Sequence, residues 1–495
     1  MIQEDGGRDP AAGPRPPAFT SRTAPFRRRV RECLAPALVA VAPDISIEIA
    51  VRRMTAAETS AVLVVADDGR PAGIVTERDV VSRGRDRSRA VAEIMSAPVM
   101  TGRVDDRLYR AIAVMRANRL RHLAIVDDAG KVAGLLELHE ALAAAACSRD
   151  GIGGSARIDR LEESAATRSI EIALARHLDA DGVAAPEILA LVADLNRELH
   201  ERVLELALAE MGSPPVPFAC FVMGSGGRGE SLLNADQDHG FVLADYPDEH
   251  HLEIDSWFVD LAERLVSGLG RAGLARCDGG VMATNPVWRK TQAQWRAQVA
   301  IWMEGRVPEV LLNCDILFDF RHVWGDFPLF DQLARDLVEA AAADRRFQML
   351  MFGLQRDHRA AIGLFGRLQT EHEASDHRGW IDLKQRGTLP LVEAVRLLAL
   401  ARGVSVTGTL DRIAALQVTG ALDANDADRL AAAFGNLASL QLRQQLIDHA
   451  AGRAMGNLVD PGRLTGRQHE LLRADLRAIN DFRGRLRADL TGSLL

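Results

Sequence analysis

Asp236 and Asp238 stand two residues apart, shortly after the run Gly224-Ser225-Gly226-Gly227-Arg228-Gly229-Glu230. Side chains two apart on an extended backbone share a face, so two carboxylates at the start of a strand would point into one pocket. Charges of one sign held that close raise each other's pKa, and a divalent cation relieves the repulsion. Ahead of the pair, glycines let the backbone approach a triphosphate closely. A helix beginning beside Ser225 would aim its free N–H groups at phosphate oxygens. Carboxylates holding Mg²⁺ or Mn²⁺ beside such a cradle suit phosphoryl-group chemistry on a nucleoside triphosphate: binding it, activating an acceptor hydroxyl and stabilising the pyrophosphate that leaves.

The surrounding pattern supplies elements to carry these residues. PFACFVMG reads as a buried strand, SGGRGESLL as a short helix after a glycine-rich turn, and DHGFVLAD as the next strand. Alternation in VLLNCDILFDFRHVWGD suggests one more strand, on which Asp315, Leu317, Asp319 and Arg321 would share a face. This mixed α/β domain is expected over residues 213–330. A helical connector over 150–212, broken at Gly-Val-Ala-Ala-Pro, precedes it, and a helical bundle over 335–495 follows. Between 30 and 146 one unit occurs twice: a helix, an apolar strand, an acidic turn and a second strand. The turns Asp67-Asp68-Gly69 and Asp127-Asp128-Ala129-Gly130 favour tight reversals. Residues 1–29 carry no apolar periodicity and no hydrophobic core of a secretory signal, and read as a disordered tail. The fold class expected is α+β multidomain: a paired α/β module, a mixed sheet with helices, and a carboxy-terminal α-helical bundle.

In order and spacing, Gly-Ser, a helix and Asp-x-Asp opening a strand resemble the nucleotidyltransferase superfamily. More narrowly, GSGGRGESLLNADQDHGFVL, GGVMATNPVWRKTQAQW and ILFDFRHVWGD look like the nucleotidyltransferase domain of DUF294 type found beside CBS motifs in bacterial signal-transduction proteins, a relative of the PII-protein uridylyltransferases. The resemblance covers residues 30–495. It implies Asp236 and Asp238 as catalytic metal ligands, with a third carboxylate from a later strand. The family pattern favours Asp319 for that place and leaves Asp315 as the alternative. Gly224 and Ser225 match phosphate-contacting positions. Arg228 and Glu230 match positions that serve either nucleotide contact or internal pairing, and Asn285 is a further candidate facing the nucleotide. Asp382 and Lys384 resemble a recurring family phrase; a surface role is the favoured reading for them, with a face toward the cleft as the alternative.

The doubled unit resembles a tandem of CBS motifs, which commonly senses adenine nucleotides. In the first copy, Gly73-Ile74-Val75-Thr76-Glu77-Arg78-Asp79 matches the family phrase and makes Thr76 and Asp79 ligand candidates. In the second, Glu137 replaces the Thr, and Glu140 stands where the Asp would reach ribose, so at most one good site is expected. The alternative is a dimerisation platform in which Thr76 is a helix N-cap.

With 60 basic and 68 acidic residues the formal charge is −8, which disfavours nucleic acid as the default partner. Cys33, Cys147, Cys220, Cys277 and Cys314 lack metal-ligand spacing and read as free thiols of a cytoplasmic protein. His200 and His449 lack a second ligand one turn on, and Trp288, Trp295 and Trp302, seven apart, suggest one packed helix stripe. No stretch is apolar enough for a membrane helix. The expected partners are a nucleoside triphosphate, an acceptor that the sequence does not name (a protein hydroxyl by analogy with uridylyltransferases), an adenine nucleotide as regulator, and a second copy of the chain through the CBS pair. The rival reading is a nucleotide sensor without turnover.

Overall fold

The computed structural model describes residues 29–34, 39–57, 59–84, 86–106, 108–118, 120–138, 141, 164–304, 315–355, 358–363, 366–370 and 377–491. Residues 1–28 of the expected tail, and Glu140, lie outside them. The chain divides into two compact units, the first ending at Ala156.

In the first unit the repeat is visible bond by bond. Strands β1 (Ala40–Val41), β2 (Ala61–Val65) and β3 (Pro71–Thr76) form one three-stranded sheet, with α1 (Ile47–Ala56) between β1 and β2 and α2 (Glu77–Arg83) after β3. The second copy repeats it with β4 (Thr101–Arg103), α3 (Leu108–Ala117), β5 (His122–Val126) and β6 (Val132–Glu137). The antiparallel ladders open on Ala61↔Thr76 and His122↔Glu137, and each is interrupted at the same step, Val64/Val65 and Ile125/Val126. Both reversals are held by an aspartate: Asp68 accepts from Arg70 N at 3.0 Å, and Asp127 from Ala129 N and Lys131 N at 2.9 Å. Ile47, Ala50 and Met54 recur at helical spacing on α1 and are buried with Val62, Val64 and Val75 of the sheet.

The second unit begins with α4 (Ser164–Ala180) and α5 (Ala185–Met211), which replace the expected connector and break at the Gly-Val-Ala-Ala-Pro segment. A four-stranded mixed sheet follows, in the order β11 (Arg289–Thr291), β9 (His239–Leu243), β7 (Phe218–Val222), β12 (Arg321–Gly325). Strand β7 is buried along its whole length and its alternation serves two layers. Phe218, Cys220 and Val222 pack on α5 and on α7 (His251–Arg271); Ala219, Phe221 and Met223 pack on the other side with Trp288, Trp295 and Phe330. Between β7 and α7 come α6 (Gly224–Arg228) and the two-residue strand β8 (Asp236–Gln237), which pairs with β10 (Ala275–Arg276). The three tryptophans do cluster, with ring centroids 5.9–6.3 Å apart. They do not share one helix: Trp288 ends a 3₁₀ turn before β11, and the other two lie on α8 (Gln292–Met303).

The last layer is helical: α9 (Phe327–Ala343), α10 (Arg345–Leu354), α11 (Leu389–Ala401), α12 (Thr409–Val418), α13 (Ala424–Ala450) and α14 (Gly466–Thr491), with a small sheet of β13 (Ile381–Asp382) and β14 (Leu458–Val459). Residues Pro390–Leu400 of α11 are all buried, as the apolar run LPLVEAVRLLALA requires. One core runs without interruption from the second face of the sheet through these helices. The expected strand through Asp315 and Asp319 is corrected: 315–317 is a helical turn, and β12 starts only at Arg321. A five-residue apolar alternation does not distinguish a strand from a buried turn.

Candidate active site

The sequence Asn234-Ala235-Asp236-Gln237-Asp238 is pinned at its centre. Gln237, fully buried, donates its amide to the carbonyls of Leu274 at 2.9 Å and Val266 at 3.3 Å. With Gln237 turned inward, parity sends Asp236 and Asp238 the other way, as expected of an Asp-x-Asp pair. Met223 N donates to Asp238 O at 2.9 Å, which ties the end of β7 and the glycine run to the second acid. Gly224 has φ +58°, and a Cβ there would stand 3.0 Å from Asp238 Oδ2. The backbone of the glycine run therefore lies directly against the carboxylate. Helix α6 starts at Gly224, beside Ser225 as predicted, and is five residues long.

Sequence reasoning missed the third member of this group. Parallel pairing of β10 with β8 sets Ala275 beside Asp236 and Arg276 beside Gln237, so Cys277 follows in register with Asp238. Donor atoms of Asp236, Asp238 and Cys277 lie within 4.8 Å of one another. Burial and the charge of Asp236 push the Asp238 carboxyl up to about 6, against an ordinary 3.8, although the Cys277 thiol, Lys384 and Arg228 favour its ionised form. Burial and the Asp238 charge push the Cys277 thiol up to about 12. Two oxygen donors and a sulfur that repel one another when ionised fit a divalent cation, and their chemistry suits Mn²⁺ or Zn²⁺ as well as Mg²⁺.

Asp319 does not join this group, and the expectation of a third metal ligand there is corrected. Its carboxylate is 0 % exposed and is held by three guanidiniums: Arg228 at 2.6 Å, Arg412 at 2.5 Å and Arg396. Burial alone would raise its pKa, but the three cations hold it well below the carboxylate range. Asp315, the alternative, pairs with Arg396 and accepts from Gln355 at 3.0 Å. The strands flanking β9 in the sheet, β7 and β11, carry no acid in its place. Arg228 and Glu230 take the internal-pairing option: Arg228 Nε bonds Glu230 at 2.7 Å, and Glu230 accepts from Thr409 N at 2.6 Å. Gly227 lets the loop reach this cluster, because a Cβ there would meet Asp319 O at 1.9 Å. Asn285 is also spent locally, accepting from Val287 N at 3.0 Å and donating to Gly280 O at 3.2 Å.

From the helical layer, Lys384 opens a π-helical segment, Lys384–Thr388, and faces a cleft that Ser225, Arg228 and Asp236 also line. Asp382 instead caps that segment, accepting from Gln385 N at 2.9 Å. Behind the acids, His200 is buried, its pKa lowered to about 4 by burial, and its Nδ1 bonds the Asn196 carbonyl at 2.7 Å. It is a neutral core residue, and His449 is exposed. In the first unit Thr76 and Asp79 form a capping box at the start of α2, with Thr76 Oγ1 donating to Asp79 Oδ2 at 2.7 Å. Glu137 stands in register where the first copy has Thr76, and lies 3.6 Å from His122.

The second unit thus sets a glycine run and an acid pair beside a mixed sheet, with a helical layer across the cleft. Comparison with known proteins gives this arrangement a family. Residues 171–309 match the family described as "Putative nucleotidyltransferase DUF294", residues 345–490 its "Putative nucleotidyltransferase substrate binding domain", and residues 30–86 and 91–146 the CBS domain. The chain carries all three domain types. Curated relatives are similar over short stretches. An uncharacterized protein of Methanopyrus kandleri is 38% identical over 86 residues, 16% of this chain and 44% of that protein. Inosine-5′-monophosphate dehydrogenase of Methanocaldococcus jannaschii is 29% identical over 115 residues, 23% of each chain. The chain thus spans less than half the length of either relative. Among solved structures, a CBS domain protein of Pyrobaculum aerophilum complexed with AMP is 24% identical over 23% of this chain and 89% of that one, with a TM-score of 0.22. A CBS-domain-containing protein of Agrobacterium tumefaciens is 27% identical over 24% and 94%, also with a TM-score of 0.22. No helix among the described residues is long and apolar enough to cross a membrane.

Two outcomes test this geometry. Asp319→Asn leaves three buried guanidiniums around a neutral amide, and chemical denaturation should show a loss of about 3–5 kcal/mol. Folded Asp238 titrates near 6 and an unfolded aspartate near 3.8, so the metal-free fold loses stability as pH rises between these values and stays lower above them. Asp238→Asn mimics the protonated acid. In EDTA it should raise the melting temperature by roughly 2–6 °C at pH 8, by about half as much at pH 5 and hardly at all near pH 3.5; an equal gain at all three values would show that Asp238 is not the titrating group.

Proposed function

We propose that the second unit transfers a nucleoside monophosphate from a nucleoside triphosphate to an acceptor hydroxyl, with Asp236 and Asp238 holding a divalent cation. The observation that carries this reading is the acid pair set against the backbone of the glycine run, with the Lys384 ammonium across the same cleft. In the transfer, a bond forms between the acceptor oxygen and the α-phosphorus. The bond from that phosphorus to the bridging oxygen of the β-phosphate breaks, pyrophosphate leaves, and the hydroxyl proton passes to solvent. A bound Mg²⁺ or Mn²⁺ supplies charge neutralisation and orientation of the triphosphate. Asp236 and Asp238 hold it, with Cys277 as a third donor for softer ions. Ser225 and the amides of the glycine run contact phosphate oxygens, and Lys384 offsets charge on the leaving group. Arg228 and Glu230 line the same cleft and brace the loop through their own ion pair and the Asp319 cluster.

An adenine nucleotide on the first CBS copy is proposed as the regulator, with Thr76 and Asp79 exchanging their mutual bonds for bonds to its phosphate and ribose. Pairing of two chains through the CBS modules and a cytoplasmic location belong to the same reading.

The test is incubation of the full chain with each α-³²P-labelled nucleoside triphosphate, Mg²⁺ or Mn²⁺ and a cell lysate. Label should appear on an acceptor with the wild-type protein and fall about 10²-fold or more with Asp236→Ala or Asp238→Ala. Nucleotide binding by the wild type with no labelled product under either metal would replace this reading with that of a sensor without turnover.

A further inference from the structure

We infer that the cleft holds a nucleobase subsite in which the side-chain amide of Gln441 reads the hydrogen-bonding edge of the base; this rests on the nucleotidyl-transfer reading above. The cleft is lined by two chemically different sets of residues. Ser225, Asp236 and Lys384 are polar and charged, suited to phosphates and metal. Leu189, Leu389, Val392, Phe434 and Ala438 are apolar, surfaces of the kind that take the faces of a planar ring.

Gln441 lines the same cleft on the helix that carries Phe434 and Ala438, is 2 % exposed, and its Nε2 has no hydrogen-bond partner among the described residues. An unpaired buried amide donor costs about 1–3 kcal/mol. Its neighbours on α13 do not carry that cost: Gln444 donates to Asp448 at 3.1 Å, and Gln445 accepts from Leu233 N at 2.9 Å while donating to Asn234 at 2.7 Å. Gln441 alone of these three is turned to the cleft with a donor unused.

The helix also fixes where this donor stands relative to the acids. Phe434, Ala438, Gln441 and Gln445 follow one another at spacings of four, three and four, which places them on one stripe of α13. Gln445 grips the loop residues just ahead of Asp236. Gln441 is one turn from that grip, about 6 Å along the axis. A triphosphate held at Asp236 and Lys384 therefore directs its sugar and base along this stripe toward Gln441. A side-chain amide offers one donor and one acceptor side by side, which matches the paired donor and acceptor presented by a nucleobase edge.

Isothermal titration of the full chain with Mn²⁺ tests this, using ATP, GTP, CTP and UTP in turn and inorganic tripolyphosphate as the baseless probe. At least one nucleotide should bind the wild type tenfold or more tightly than tripolyphosphate. Gln441→Leu should lose about tenfold in that nucleotide's affinity, leave tripolyphosphate binding unchanged, and keep or raise the melting temperature of the free protein. Gln441→Glu, an acceptor only, should change the order of preference among the four and serves if the leucine variant does not fold. Nucleotides bound no better than tripolyphosphate, or unchanged nucleotide affinity in both variants, as expected if the amide only holds water, would overturn the subsite and leave the triphosphate site standing. Binding of neither probe by the wild type would remove the nucleotidyl-transfer reading itself.

Discussion

The second unit is organised around one buried carboxylate. Asp319 accepts from Arg228 beside the glycine run, from Arg396 in the middle of α11 and from Arg412 on α12. A charge of this kind is tolerated inside a protein only when its partners are in place, so the three segments are bound to fold around it together. The cleft exists because of that requirement. Its glycine-run wall and its helical wall are joined by the same ion cluster, extended by Asp315 to Arg396 and by Glu230 to Thr409.

Packing and electrostatics here serve the same end. The apolar core that begins on one face of the sheet passes through the tryptophan cluster into the helical layer without a boundary. Gln445 then joins the layers on the open side of the cleft, through Leu233 and Asn234. The acid pair is thus held from three directions: by Gln237 from below, by the glycine run from the side and by the helix α13 through its loop. Such restraint is what keeps two carboxylates together against their repulsion.

What the sequence disclosed was what is local. The Asp-x-Asp parity, the short helix in the glycine run, the aspartate-held reversals and the doubled unit all show as patterns within short stretches of chain, and the structure contains each of them. Asp319 was misassigned because its deciding partners lie 77 and 93 residues onward, on helices whose sequences look merely amphipathic. Cys277 escaped notice for a related reason, since it reaches Asp238 only through a two-residue parallel pairing with no signature of its own. The tryptophans show a subtler failure. Their spacing of seven was helical arithmetic applied across a 3₁₀ turn and a strand, and they meet through tertiary packing instead.

Asp319 lies between the two family matches, past the end of the first at 309 and before the start of the second at 345. The residue that joins the sheet domain to the helical layer thus lies outside both matched segments. A recombination that exchanged either domain at the apparent boundary would leave a buried acid without its cations, or cations without their acid. The two domains are thus tied by one buried ion cluster, whereas the first CBS copy closes a core of its own.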